Sequence, residues 1–234
     1  SSLPDVSVYG QPITFTVTAS ALQPSGALPT GTVLFLDSGR PFGLATLDNG
    51  VARLTTSTLF LPLGTHSITA QFNGNAHWNQ ATSPAIVQSV QTAALEPDPL
   101  DPGKYLLAVG GSSYNDVMFV SYNAGGMLIL INSPTMSYHG TFPMANVGHM
   151  ALFGAAGRDV IRVNANVPVP TLLFGGDGND TLWTSSLAGS VLVGGKGNDT
   201  LYGGNGRELL IGGLGTDYLN GQGGEDLLVG GTTD

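Results

Sequence analysis

The sequence predicts an all-β protein in which an antiparallel β-sandwich is followed by a right-handed parallel β-helix. Three observations lead to this fold class. Residues 1–92 contain short segments of alternating apolar and polar residues, separated by turns rich in glycine, asparagine and proline. Residues 93–104 are rich in proline and acids. Residues 105–234 carry a glycine-rich repeat of nine residues, and a fixed short period of this kind indicates a solenoid.

The first part is predicted to be a sandwich of short strands. The alternation is clearest in residues 13–19, where Ile13, Phe15, Val17 and Ala19 share one face. The same pattern recurs in four further segments, at 32–36, 51–55, 66–72 and 85–90. Turn signals lie between the segments, at 29–31, 37–39, 48–50, 63–64 and 73–75. Short strands with polar turns and no helical period predict an antiparallel sandwich.

The segment 93–104 is predicted to be a connector. It contains three prolines and three acidic residues. Because proline fixes φ and removes an amide donor, we expect this segment to be extended and rather stiff. The first coil of a parallel β-helix has an open edge that must be covered. Either the connector or the sandwich is expected to cover it.

The nine-residue repeat is most regular near the C-terminal end. Residues 194–231 read GGKGNDTLY, GGNGRELLI, GGLGTDYLN, GQGGEDLLV and GG, and upstream copies read GGDGNDTLW at 175–183 and GAAGRDVIR at 154–162. Position six of each unit is acidic, and position eight is apolar. A flexible glycine-rich linker, the alternative reading, would not keep this pattern. The position-eight leucines, expected to point inward from a short strand, are Leu182, Leu201, Leu210, Leu219 and Leu228.

The spacing of strand ends extends the solenoid upstream of the repeats. Apolar strands end at Gly110, Asn132, Gly154, Gly175, Gly194, Gly212 and Gly230, so that successive steps are 22, 22, 21, 19, 18 and 18 residues. One coil therefore consists of two nonapeptides, and the coils lengthen towards the N-terminal end. The second strand of successive coils is expected at 117–120, 141–144, 160–163, 181–183 and 200–202.

The chemistry of the glycine loops favours a hard cation. Glycines at positions one, two and four allow positive φ, so that main-chain carbonyls can turn inward, and the acid at position six adds an anionic oxygen. Oxygen donors without Cys or His suit Ca²⁺, which takes about 6–8 oxygen ligands at about 2.3–2.6 Å. The repeats therefore predict calcium as the bound ion and a β-helix that tightens into a calcium β-roll in its C-terminal coils.

The register of the coils places the acids on two edges of the solenoid, where successive loops stack about 4.8 Å apart. The first edge carries Asp159, Asp180, Asp199 and Asp217. Asp116 is expected on this edge two coils before Asp159. The second edge carries Glu208 and Asp226, and its 184–193 segment has lost the motif, so calcium is expected mainly along the first edge. A metal-free β-helix is the alternative, but two carboxylates about 5 Å apart at an effective dielectric of about 20 repel by about 3 kcal/mol.

The repeat resembles the RTX (hemolysin-type) calcium-binding repeats. In that family one loop supplies the carbonyls of positions two and four, the next loop supplies those of positions one and three, and both supply the acid at position six. The resemblance implies three sites on the first edge: Ala155, Gly157 and Asp159 facing Gly175, Asp177 and Asp180; Gly176, Gly178 and Asp180 facing Gly194, Lys196 and Asp199; and Gly195, Gly197 and Asp199 facing Gly212, Leu214 and Asp217. It implies one site on the second edge, Gly204, Gly206 and Glu208 facing Gly221, Gly223 and Asp226. There Glu208 is one methylene longer than Asp, and Gln222 replaces a glycine.

The first part of the chain resembles the bacterial Ig-like repeat domains that occur in tandem in large surface proteins. The resemblance rests on the order VSVYGQPITFTVTAS, TGTVLFLDSGR, LATLDNGVARLTTSTL and LGTHSITAQFNGNAHWNQATSPAIVQSV, which covers nearly all of residues 1–92. It implies an Ig-like sandwich that serves as a spacer or an adhesion stalk.

Composition narrows the classes of partner. The formal net charge of −9 argues against nucleic acid or an anionic membrane, and no apolar run approaches the length of a bilayer span. The chain has no cysteine, so disulfides and thiolate metal sites are excluded. His139 and His149 are candidates for a transition-metal site, but no acid or third ligand lies near them in the sequence. No nucleophile elbow, His-Glu-x-x-His pair or phosphate loop is present, and we therefore expect no catalysis.

These observations predict a calcium-binding structural or adhesion module of a large secreted or cell-surface bacterial protein, with a solenoid that folds when Ca²⁺ binds. The chain starts in mid-strand and ends inside a repeat, so we expect a monomeric segment of a longer polypeptide. The RTX resemblance implies export through a type I channel. Two alternatives stay open. One is a non-catalytic accessory region of a secreted hydrolase, and the other is a segment of an adhesin that binds a glycan or another cell-surface ligand.

Overall fold

The computed structural model describes residues 2–3, 6–20, 28–56 and 61–232. Contacts divide the chain into two compact units, one of Ser1–Ser7 and Gln11–Gln91 and the other of Val8–Gly10 and Thr92–Asp234. All regular elements of the described residues are strands, which confirms the all-β fold class. These residues include no helix with the length and apolar character needed to cross a lipid bilayer.

The first unit consists of antiparallel sheets. Its strands in chain order are β1 (Ser2–Leu3), β2 (Val6–Val8), β3 (Thr14–Thr18), β4 (Gly31–Asp37), β5 (Arg40–Leu47), β6 (Val51–Thr55), β7 (Gly64–Phe72), β8 (Ala81–Thr82) and β9 (Ile86–Gln91). One sheet has the order β1-β3-β6, and the other has the order β2-β9-β7-β4-β5 with β8 beside β7. Phe15 and Phe35 are almost fully buried, and the ring of Phe42 packs edge-on against both.

Two of the predicted turns are tight hairpins. Ser38 and Gly39 join β4 to β5 with φ of 49° and 82°, and Asn49 and Gly50 have φ of 48° and 76° before β6. Positive φ at both central residues is the pattern of a type I′ turn, whose twist matches that of the flanking strands. Asn and Gly are the residues that reach this conformation most easily, which is why the turn signals in the sequence were informative.

The second unit is a parallel β-solenoid. Its strands are β10 (Ala93–Pro97), β11 (Tyr105–Ser112), β12 (Val117–Asn123), β13 (Gly126–Asn132), β14 (Ser137–Phe142), β15 (Val147–Ala156), β16 (Val160–Val163), β17 (Thr171–Asp177), β18 (Thr181–Thr184), β19 (Ser190–Lys196), β20 (Thr200–Tyr202), β21 (Glu208–Leu214), β22 (Tyr218–Asn220) and β23 (Leu227–Val229). Solenoid sheet 1 has the order β10-β11-β15-β17-β19-β21-β23. Solenoid sheet 2 has the order β14-β13-β12-β16-β18-β20-β22.

The core of the solenoid lies between its two sheets. Each strand from β17 to β21 contributes one fully buried leucine, and the residues on either side of it are more exposed. Leu182, Leu201 and Leu210 have no exposed surface, as the position-eight pattern predicts. In the last coil Leu219 is only partly buried and Leu228 is 44% exposed, because no further coil among the described residues packs over these two leucines.

The first coil differs from the predicted arrangement. The sequence spacing assigned 127–131 to the same sheet as β11, and 141–144 to the second strand of a separate coil. Instead, β12, β13 and β14 form an antiparallel meander in solenoid sheet 2, and β11 pairs directly with β15, so one long coil replaces two. A turn in which Asn123 Oδ1 accepts the N–H of Gly125 reverses the chain. Alternating apolar residues bury one face of a strand whether it runs parallel or antiparallel to its neighbour, so the periodicity could not predict the strand direction.

The start of the connector covers the open edge of the solenoid. Residues 93–97 form β10, which is extended as the proline-rich composition predicted and pairs antiparallel with β11. The turn that follows is held by Asp98, whose Oδ1 accepts the N–H groups of Leu100 and Asp101 and whose Oδ2 lies 2.6 Å from His149 Nδ1. Strand β10 thus supplies the cover that the first coil requires.

Candidate metal centre

A column of five acids runs along the first edge of the solenoid, each one just before a strand of solenoid sheet 2. Its members are Asp116, Asp159, Asp180, Asp199 and Asp217. The Oδ1 of each later acid accepts the backbone N–H of the acid one coil earlier, at 2.7 Å between Asp116 and Asp159, 2.8 Å in the next two steps and 2.9 Å in the last. Asp116 therefore lies one coil before Asp159, not two as expected, because the β12–β14 meander belongs to a single coil.

The second carboxylate oxygen is left without a partner in most of the column. Oδ2 is buried and accepts no hydrogen bond in Asp159, Asp180, Asp199 and Asp217. A buried anionic oxygen without a partner is strongly unfavourable, so each of these atoms calls for a positively charged ligand. The sequence does not show which carboxylate oxygen accepts a hydrogen bond and which does not, because that depends on the register between neighbouring coils.

Main-chain carbonyls of position one converge on these unpartnered oxygens. At Gly154 the place that a Cβ would take lies 2.5 Å from Asp159 Oδ2 and 2.6 Å from the carbonyl oxygen of Gly175 in the next coil. The same pair of atoms, shifted by one coil, surrounds the equivalent place at Gly175 and at Gly194. Any side chain at position one would therefore fill the space between the carboxylate and the carbonyl, which explains the glycine.

The carbonyls of positions two and four point along the column towards the next loop. A Cβ at Gly176 would collide with the carbonyl oxygen of Ala155, and a Cβ at Gly178 would collide with that of Gly157. The same clash recurs one coil further on, at Gly195 and Gly197 against Gly176 and Gly178. Gly176 and Gly178 also have φ of 113° and 140°, which side-chain-bearing residues rarely adopt. Ala155 holds a φ of 81° without being glycine.

The position-three carbonyls are shared between neighbouring loops. Those of Asp177, Lys196 and Leu214 accept the N–H groups of Gly157, Gly178 and Gly197 at 2.7–2.9 Å. A carbonyl oxygen has two lone pairs, so each retains one for a cation. The side chains of Asp177 and Lys196 form an exposed ion pair at 3.0 Å, of a kind that contributes little to stability.

Burial makes the column hard to ionise without a cation. It raises the pKa of Asp159 to about 8 and that of Asp180 to about 7, with a smaller upward contribution from neighbouring acids of the column. Burial also raises the pKa of Asp199, again with a contribution from the next acid, Asp217. Hydrogen bonds from the preceding coil only partly offset this effect. Acids with raised pKa values in one line are the expected property of a site built for a cation.

Asp116 differs from the other acids of the column. Its carboxylate accepts the backbone N–H of Ser112 at 2.6 Å and the Ser112 hydroxyl at 3.0 and 3.1 Å. Neither of its oxygens is without a partner, although burial still raises its pKa. The column therefore ends at a serine that takes the place available to a cation in the later coils.

The second edge contains one comparable place. The N–H of Glu208 donates to Asp226 Oδ1 at 2.9 Å, and Glu208 Oε1 is buried without a hydrogen bond. Glu208 Oε2 instead accepts the N–H of Gly204 at 3.2 Å. Gln222 has a φ of 67°, and the close approach to the carbonyl of Gly206 is made by Gly224. The loop that contains the predicted ligands Gly221 and Gly223 is thus built differently from those of the first edge.

Hydroxyl groups replace acids in the rest of the second edge, which sequence reasoning missed. Register places Thr171 beside Ser190 and Ser190 beside Glu208. The Thr171 and Ser190 hydroxyls lie 2.8 Å apart, Thr184 lies 3.3 Å from Ser190, and the Ser186 hydroxyl donates to the carbonyl of Val167. This network is neutral and internally satisfied. The predicted coil step of 18 residues already placed Ser190 one coil before Glu208, so this spacing could have identified Ser190 as the hydroxyl residue that replaces an acid on the second edge.

The donors along the first edge fit a hard cation that binds oxygen. Within the described ranges, no three His, Cys, Asp or Glu side chains converge on one point, so main-chain carbonyls must supply most of the ligands. Two carboxylates together with carbonyls of two loops match the oxygen-rich, flexible coordination of Ca²⁺. Mg²⁺ demands closer and more regular octahedral coordination, and zinc favours nitrogen or sulfur.

A sandwich followed by a solenoid with stacked acids and carbonyl-lined glycine loops defines a module of the calcium β-roll class. Residues 1–91 match the family model of the bacterial Ig-like domain (group 3). Residues 172–186, 189–219 and 202–234 match that of the RTX calcium-binding nonapeptide repeat (4 copies). The chain thus carries a bacterial Ig-like domain and RTX calcium-binding repeats, which confirms both resemblances and calcium as the ion. Neither the curated proteins nor the solved structures contain a match to it.

Proposed function

We propose that this chain is a calcium-stabilised structural module of a larger bacterial protein that acts outside the cytoplasm, either secreted or at the cell surface. The observation that carries the proposal is the set of four buried Oδ2 atoms without partners, stacked on one edge beside carbonyl oxygens. Three of the four acids lie within the stretch that matches the RTX repeats. RTX repeats and bacterial Ig-like domains are typical of exported proteins, which supports the location.

The proposed ligands of the first edge are those that the resemblance to RTX repeats implied. Asp159, Asp180, Asp199 and Asp217 would each contribute Oδ2, and the glycine loops between them would contribute the carbonyls of positions one to four. Bound Ca²⁺ supplies the positive charge that the column lacks. We place the single second-edge site at Glu208 and Asp226. We propose 1–92 as the Ig-like domain, 93–104 as the linker and 105–234 as the solenoid, with strand β10 of the linker pairing onto the solenoid sheet.

The mechanism is folding linked to the metal. In the cytoplasm, where free Ca²⁺ is scarce, repulsion along the column and the conformational entropy of the glycines oppose stacking of the coils. Outside the cell, millimolar Ca²⁺ binds the stacked loops and not the unfolded chain, so mass action stabilises the solenoid. This order of events suits export of an unfolded chain through a type I channel. The Ig-like domain would act as a spacer.

The chain itself is proposed to be non-catalytic. An accessory role beside a hydrolase in the same polypeptide agrees equally with the sandwich and the repeats, and the sequence that flanks these residues would distinguish it from a purely structural or adhesive role. Catalytic activity measured for this segment alone would argue against both the accessory role and the structural or adhesive role.

Removal of calcium tests the proposal. Hydrogen–deuterium exchange of the full chain is compared with calcium and with chelator. We expect backbone amides of 171–229 to exchange rapidly in chelator and to be protected in calcium, while amides of β4, β7 and β9 keep their protection in both. Equal protection of 171–229 in the two conditions would refute metal-linked folding.

A further inference from the structure

The outer surface of solenoid sheet 2 is a long face with two rows of aligned side chains. The first row is His139, Leu130, Phe119, Arg162, Trp183, Tyr202 and Asn220. The second row is Ser137, Asn132, Val117, Val160, Thr181, Thr200 and Tyr218. Their neighbours in each strand point into the core. Seven strands about 4.8 Å apart make this face about 29 Å across. We call it the outer face.

The outer face carries no negative charge. None of its seven strands contains Asp or Glu, although the chain has 16 acidic residues. Its strands carry one arginine, Arg162, and the ion pairs of the described residues do not include it. In a chain of net charge −9 a surface whose strands lack acids offers an anionic ligand little local repulsion.

Apolar and aromatic groups are exposed along the same rows. Val117 and Tyr218 are each 53% exposed, and Trp183 is 36% exposed. The rings of Trp183 and Tyr202 lie 5.8 Å apart at 47°, those of Tyr202 and Tyr218 lie 5.7 Å apart at 57°, and the Arg162 guanidinium lies 4.4 Å from the centre of the Trp183 ring. The rings are tilted rather than stacked flat. Exposed aromatic rings that contact one another, with polar groups beside them, are typical of an interaction surface.

We propose that the outer face binds a linear polysaccharide that carries carboxylate groups, such as a uronate-containing glycan, lying across the strands. Arg162 would pair with a carboxylate through its planar, two-pronged donor group. The C–H faces of the sugar rings would pack on Trp183, Tyr202 and Tyr218, while hydroxyl and amide groups of Thr181, Thr200 and Asn220 lie within the same rows to bind sugar hydroxyls. The length of the face favours an extended ligand over a single sugar.

Binding of this ligand depends on the proposed calcium module. Asp159, Asp180 and Asp199 immediately precede β16, β18 and β20, so the acids of the first edge border the outer face. Without a cation the coils of the proposed module are not held together, so the strands that align the two rows do not stack. We therefore expect the glycan to bind only when calcium is present. The outer face is the binding site, and calcium bound along the first edge is required to form it.

The test is isothermal titration of the full chain with a hyaluronan octasaccharide, a linear uronate-containing probe, and with the neutral cello-octaose. With calcium we expect the charged probe to bind more tightly. Trp183→Ala should weaken its binding by about tenfold or more. Arg162→Gln should remove the preference for the charged probe, whereas Tyr105→Ala, which removes an aromatic side chain 46% exposed on the other sheet, should change nothing.

The outcomes separate this inference from the proposed function. Equal exchange of 171–229 with and without calcium defeats the proposed function, whereas normal calcium-linked folding without glycan binding defeats only the outer face as a site. Binding that survives the combined Arg162→Gln and Tyr218→Ala change in a folded chain also rejects it. A dimer that light scattering detects in the wild type and not in Trp183→Ala would instead identify the outer face as a contact between two copies.

Discussion

The backbone N–H of Asp180 donates a 2.8 Å hydrogen bond to Oδ1 of Asp199, which lies one coil later on the first edge. The bond occupies one oxygen of Asp199 and leaves the other, Oδ2, buried and without a partner. Each acid of the column after Asp116 is thus both held in place by the preceding coil and left with one oxygen for a cation.

Asp199→Ala should reduce calcium affinity more than Glu208→Ala. Asp199 belongs to two of the proposed sites on the first edge, whereas Glu208 belongs to one site on the second edge. For Asp199→Ala we expect a loss of about ten- to a hundredfold in affinity, the scale on which the loss of a metal-site group is felt. Calcium titration by calorimetry measures both variants, with the exposed-loop change Asp101→Ala as the control. A larger effect of Glu208→Ala would shift the sites to the second edge.

Asp116→Asn should leave the number of bound calcium ions unchanged. Ser112 already satisfies both oxygens of Asp116, so no carboxylate atom there is free for a metal. Asp180→Asn, the matched change two coils later, should lower the number of ions because Asp180 Oδ2 has no other partner. Elemental analysis of the dialysed proteins gives the count. Loss of an ion in Asp116→Asn would extend the binding column to the first coil.

Acid should stabilise the solenoid when calcium is absent. Burial raises the pKa of Asp159 from 3.8 to about 8, so the folded state binds more protons than the unfolded state between these values. Stability then falls as pH rises through this range and is greatest below it. Thermal melting in chelator should therefore move to higher temperature as the pH is lowered from about 8 towards 3.8.

With calcium present the trend should be the opposite, because the metal binds the deprotonated acids and protons compete with it. The comparison of the two melting series provides its own control. A melting temperature in chelator that falls steadily on acidification would show that the buried acids of the column do not govern the stability of the calcium-free chain.

Gly178→Ala should destabilise the solenoid, even with calcium bound. A Cβ at Gly178 would overlap the carbonyl oxygen of Gly157, and its φ of 140° is unfavourable for alanine. We expect a loss of more than about 1 kcal/mol in the free energy of unfolding. Gly230→Ala is the matched control, since nothing lies within 4 Å of its added methyl group, and its effect should stay within about 0.5 kcal/mol. Denaturant unfolding compares them, and equal losses would contradict the tight packing of the loops.

The sequence by itself determined the repeat, the ion and the two-part all-β fold. Glycine at fixed positions, an acid at position six and an inward leucine at position eight, such as Leu201, are local requirements that each nonapeptide must meet, so they can be read one unit at a time. The same holds for the type I′ turns at Ser38 and Asn49, whose conformation depends on the turn residues alone.

Only the tertiary structure decided how the first coil runs and which atoms remain unsatisfied. Alternation buries Met127 and Ile129 equally well in a parallel or an antiparallel strand, so it could not show that β13 turns back on β12. Whether Asp116 keeps a free oxygen depends on Ser112, and whether Asp199 does depends on the coil before it. Strand direction and the pairing of buried polar atoms are set by contacts between coils, and these contacts exist only once the chain is stacked.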